Sequence, residues 1–66
     1  MRKYTNEEII KAIDSYIHSI RDSEILKRRL VNGEKFKDIA EDLHYSVRHI
    51  QRIVYKAENE LFKHLK

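Results

Sequence analysis

The only glycine in the chain, Gly33 of Asn32-Gly33, falls between two stretches whose apolar residues recur at helical spacing, and there is no proline anywhere. Glycine takes the left-handed conformation that closes many helices at no steric cost, so Asn32-Gly33 predicts a helix end. Sixty-six residues broken in this way leave room for one small domain. A chain this short buries only about 60% of the surface it exposes when unfolded, so its core must be economical. With 41% hydrophobic and 38% charged residues it is nonetheless too apolar for a disordered tail.

Four helices are expected. "TNEE" at 5–8 has the spacing of a capping box, in which Thr5 and Glu8 satisfy each other's backbone amides. From there Ile9, Ile10, Ile13, Tyr16, Ile17 and Ile20 form one apolar stripe, predicting a helix through about residue 21. Asp22 or Ser23 is a good N-cap for a second helix, which carries Ile25, Leu26, Leu30 and Val31 and turns Lys27, Arg28 and Arg29 outward. In "FKDIAEDL", Phe36, Ile39, Ala40 and Leu43 at i, i+3, i+4 and i+7 predict a short amphipathic helix over 36–43. Ser46 caps the last helix, expected over 46–65, with Val47, Ile50, Ile53, Val54, Ala57, Leu61 and Leu65 on its core face. The expected architecture is an all-α bundle of about four helices in one domain, divided as 1–22, 23–33, 36–43 and 46–65.

Several function classes lose support on composition. Without cysteine there is no disulfide framework and no thiolate metal site, and a reducing, cytoplasmic setting fits. No apolar run exceeds three residues, so no membrane partner is expected. His18, His44, His49 and His64 stand at no i, i+3 or i+4 spacing to one another, so neither a metal nor any other cofactor is expected. No nucleophile elbow, glycine-rich loop or pair of buried carboxylates points to an enzyme. The net charge of +3 is unevenly spread. Residues 34–45 hold two Lys against four Asp or Glu, whereas residues 46–66 hold five Lys or Arg against two.

That charge change falls inside the segment from Phe36 to Ile53, which has what a helix-turn-helix needs. Ile39, Leu43, Tyr45, Ile50 and Ile53 are apolar anchors on both helices, Ala40 is the small residue at the crossing, and three residues suffice for the turn. The residue after Leu43 often requires positive φ; here it is His44, which tolerates that region better than most. At 100° per residue, the last helix places Arg48, Gln51, Arg52, Tyr55, Lys56, Asn59 and Lys63 opposite its core face, with no acid among them. Arginine can bond guanine N7 and O6 in pairs, glutamine can do the same with adenine, and lysine can neutralise phosphate. An ordinary solvated helix face, by contrast, usually mixes signs.

The order of residues in "SEILKRRLVNGEKFKDIAEDLHYSVRHIQRIVYKAENEL", 23–61, resembles the fourth conserved region of bacterial sigma factors and the related small activators of phages and mobile elements. Ile25-Leu26 and Arg29 match its first part, Asp38-Ile39-Ala40 and Leu43 its second, and Ser46, Ile50, Ile53, Lys56, Ala57 and Leu61 its third. The resemblance implies a sequence-specific DNA-binding transcriptional regulator whose last helix enters the major groove of double-stranded DNA. Arg48, Gln51 and Arg52 would read bases, and Ser46, His49, Tyr55 and Lys56 would serve the entry and the backbone. His44 stands where the family usually has glycine, Val47 where a polar residue is common, and Glu58 where leucine is usual. Sixty-six residues cannot also hold a domain that melts promoter DNA, so a stand-alone regulator or an isolated domain is expected, with Met1 and the capped first helix favouring the former.

Other residues carry competing expectations. Lys27, Arg28 and Arg29 are candidates for contact with phosphate or RNA polymerase, against a plain solvated face. Tyr55 and Phe62, seven residues apart, lie off the main stripe. Phe62 with Leu65 is a candidate interface for a homodimer or a polymerase subunit, unless the first helix folds over the two aromatics. Arg2 and Lys3 are a candidate basic arm. The rival function is a module that docks on RNA polymerase or another regulator without reading DNA.

Overall fold

The computed structural model describes residues 4–64, so Arg2, Lys3 and Leu65 lie outside the described residues. Four helices follow one another: α1 Asn6–Tyr16, α2 Ile20–Leu26 running on into a wider π-helical turn Lys27–Val31, α3 Phe36–Leu43, and α4 Val47–His64. Among the described residues there is no strand, and no helix is long and apolar enough to cross a membrane. The all-α bundle is thus as the periodicity predicts. Its organising element is α4, against which α1, α2 and α3 all pack. The core draws Ile9, Ala12 and Ile13 from α1, Ile25 and Leu26 from α2, Ile39 and Ala40 from α3, and Ile50, Val54, Ala57 and Leu61 from α4.

Local chemistry sets most of the ends. The capping box is complete, with the Thr5 amide donating to Glu8 Oε1 at 3.0 Å and the Glu8 amide to Thr5 Oγ1 at 3.1 Å. Those bonds hold the Glu8 carboxyl below its usual range. Gly33 has φ +71°, the left-handed closure expected of it. The Glu34 amide returns to the Arg28 carbonyl at 3.0 Å.

The boundary between the first two helices differs from expectation. α1 stops at Tyr16, Ile17 is extended, and Ser19 caps α2 by accepting the Asp22 amide at 3.3 Å, so neither Asp22 nor Ser23 is the cap. Ile20, placed on the apolar stripe by its spacing, opens α2 and is 86% exposed. Once the backbone leaves the helix at Ile17, the register that aligned Ile20 with Ile13 no longer applies.

The three cations of the second helix are a larger correction. The π-helical turn, in which the Asn32 amide reaches the Lys27 carbonyl at 3.1 Å, leaves residues 27–31 all half-buried instead of turning the cations outward. Lys27 pairs with Asp14 of α1 at 2.8 Å. Arg28, only 19% exposed, binds Glu34 at 2.8 Å and Asp42 of α3 at 2.6 Å. Arg29 donates to the Glu34 carbonyl at 2.9 Å and lies 4.3 Å above the Phe36 ring. These side chains tie the bundle together, so the residues set out as candidates for phosphate or polymerase contact are engaged internally.

Hydrogen bonds from Arg28 also hold the Glu34 carboxyl below its usual range, the direction found at Glu8. A carboxyl lowered by folding contributes stability above its unfolded value, and this contribution disappears as pH falls through the folded one. The melting temperature is therefore expected to drop as pH falls below about 5. Glu34→Gln should lower it at pH 7 and lower it less at pH 3, which calorimetry at both pH values would check.

Phe62 has a partner inside the chain. The Tyr4 ring, just before α1, stacks on it at 6.2 Å between centroids, which favours the covered alternative for this aromatic. Tyr55 meets the edge of Phe36 at 5.9 Å and stays 58% exposed.

Candidate nucleic-acid interface

Between α3 and α4 lie three residues, each fixed by a separate interaction. His44 has φ +61° and ψ +37°, so the strained conformation that glycine would take freely is present at a histidine. It closes α3 with a paired motif in which the Tyr45 amide reaches the Ala40 carbonyl at 2.9 Å and the His44 amide reaches Glu41 at 3.4 Å. Tyr45 is half-buried against the core, its ring 4.8 Å from that of His49 and 5.8 Å below the Arg21 guanidinium. Ser46 caps α4, its Oγ accepting the His49 amide at 3.1 Å and its carbonyl the Ile50 amide at 3.1 Å.

A left-handed conformation costs a non-glycine residue about 1 to 2 kcal/mol, and that magnitude applies in opposite senses at two sites. His44→Gly is expected to stabilise the fold by about 1 kcal/mol, glycine's larger unfolded-state entropy offsetting part of the gain. Gly33→Ala should destabilise by about 1 to 2 kcal/mol. No atom lies within 4 Å of a Cβ added there, so backbone strain is the whole cause. Urea titration of both variants checks the two signs.

From this cap the solvent face of α4 runs as its spacing implies. Arg48, His49, Arg52, Tyr55, Lys56, Asn59 and Lys63 are exposed, Gln51 is half-buried, and the first turn holds no acid. Val47, counted among the core positions by period, is 40% exposed at the head of the helix. Among the described residues no carboxylate pairs with Arg48, Arg52 or Lys56. The acids of α4 are drawn elsewhere. Glu58 is half-buried, and burial pushes its carboxyl above the usual range despite Arg29 nearby. Glu60 lies 3.6 Å from His64.

Cations thus divide into two sets: Lys27, Arg28 and Arg29 of the π-helical turn are consumed by internal partners, whereas Arg48, Arg52 and Lys56 of α4 face solvent without a carboxylate partner. The second set can serve an anionic partner without first breaking an internal pair. Sequence periodicity finds this face but not Arg21, which stands beside the turn. Its Nε donates to Asp22 Oδ1 at 3.2 Å, and its guanidinium lies 5.8 Å from the centre of the Tyr45 ring. That contact joins residues 24 positions apart, and no local pattern announces it. Comparison with protein families, curated proteins and solved structures finds no match to the chain.

Proposed function

We propose that the chain is a sequence-specific DNA-binding transcriptional regulator, similar to sigma region 4, in which α3 and α4 act as a helix-turn-helix and α4 enters the major groove. The observation that carries this reading is the contrast between the internally paired Lys27 and Arg28 of the π-helical turn and Arg48, Arg52 and Lys56 of α4, which have no carboxylate partner. Arg48, Gln51 and Arg52 supply base-reading donors and acceptors at the start of the helix, and exposed Val47 suits a thymine methyl. His49, Tyr55 and Lys56 flank them toward the backbone, and Ser46 sets where the helix begins.

Selection of bound sequences from a random duplex pool tests the reading. A shared motif, with log K falling steeply as log salt rises, is the expected result. A pool that yields no motif, together with affinity insensitive to salt, would overturn it and leave a protein-docking module as the better account.

A further inference from the structure

Along the edge of the base-reading arc, which Arg52 shares with it, α4 forms one wall of a groove of about 480 Å³ whose other wall is the connection between α1 and α2 and the first turn of α2. Its floor is apolar, made by Ile17, Ile53 and Ala57. Its rim carries His18 from the connection, Arg21 from the first turn of α2, and His49, Arg52 and Lys56 from α4. Two acids also line it: Asp22 accepts from Arg21 Nε at 3.2 Å, and Glu60, one turn after Lys56, lies 3.6 Å from His64. Tyr16 stands at the Glu60 end, its ring stacked on His64 at 4.0 Å.

Two neighbours orient the half-exposed Arg21 on this rim. Asp22 holds its Nε and the Tyr45 ring lies below its plane, while Tyr45 also packs on His49 of α4. Arg21, Tyr45 and His49 thus link the first turn of α2, the turn after α3 and the first turn of α4. A guanidinium held in this way keeps Nη donors for a further acceptor, and Lys56 offers an unpaired ammonium from the facing wall. A single phosphodiester entering from solvent would meet positive charge on both sides.

We infer that this groove seats one backbone phosphate of the bound duplex, gripped by Arg21 from the first turn of α2 and by Lys56 from α4. The site rests on the DNA-binding reading and extends it, since it adds a contact from outside the α3–α4 pair. Arg21 supplies charge and planar donors, and Lys56 supplies a second charge. Such a contact fixes how far the helix advances into the groove but carries no base information.

The test is a salt titration of binding to the selected duplex and to an unrelated one, for the intact chain, Arg21→Gln, Arg21→Lys, Lys56→Gln and the double variant R21Q/K56Q. Melting curves are recorded alongside. Losing one phosphate contact reduces the slope of log K against log salt by about 0.9, which corresponds to roughly eightfold weaker binding at 0.1 M salt. Arg21→Gln is expected to show that loss equally on both duplexes, and Arg21→Lys to keep the slope. Because both cations hold the same phosphate, the double variant should lose less than the two single losses combined. An unchanged slope in Arg21→Gln, an Arg21→Lys that behaves like it, or additive losses would overturn the shared site while the selected motif stands. If the intact chain shows neither motif nor salt dependence, the DNA-binding reading falls and the site with it.

Discussion

Replacing Ile39 by alanine is expected to cost about 2 to 5 kcal/mol, enough to leave much of the protein unfolded at 37 °C. Domains of this size are stable by only about 0.05 to 0.15 kcal/mol per residue. Ile39 is fully buried, and with Ala40 it is one of only two buried residues that the eight-residue α3 contributes to the core. Removing its side chain leaves a cavity and loosens the hold of α3 on α4. Ile20→Ala is the matched control: that side chain is 86% exposed, so the change should stay within about 0.5 kcal/mol. Urea denaturation of both variants distinguishes the cases, and comparable losses would contradict the core described above.

The second large effect concerns DNA. Arg48→Ala and Arg52→Ala are each expected to weaken binding to a selected site by about 1 to 3 kcal/mol, provided each makes a bidentate contact with a base. Both side chains are exposed, so neither change should move the melting temperature much. Each should relax specificity at one position of the motif, whereas Lys56→Ala should weaken all duplexes alike and flatten the salt dependence. Titration at fixed salt against single-base variants of the site gives the readout. If affinity and position-specific preference survive both arginine substitutions, the base-reading assignment is removed.

What was legible in the sequence was mostly what is decided within a few residues. Thr5 with Glu8, Gly33, and Ser46 each act through bonds spanning three residues or through their own backbone angles, and each does what its residue type predicts. His44 belongs with them, since its positive φ follows from its place after Leu43. The end of α1 was not legible, because Ile17 and Ile20 preserve the helical period across a break made by Ser19. Period reports which face a residue would occupy, not whether the backbone continues. Lys27, Arg28 and Arg29 misled for another reason: a run of cations resembles a solvated face, and only a widened turn bringing them to Asp14, Glu34 and Asp42 reveals otherwise. The exposed arc of the candidate site follows from α4 alone. The Arg21–Tyr45 contact depends on two segments meeting, and one-dimensional pattern holds no trace of it.

Because α1, α2 and α3 all rest on α4, the helix proposed to meet DNA is also the keel of the whole domain. A keel cannot swivel alone. Re-aiming it by even a fraction of a turn would withdraw Ile50, Val54, Ala57 and Leu61 from the interior at once. Adjustment at the contact would therefore have to come from the duplex, by bending or by narrowing a groove. Sequences whose steps deform easily would be favoured even at positions no side chain touches.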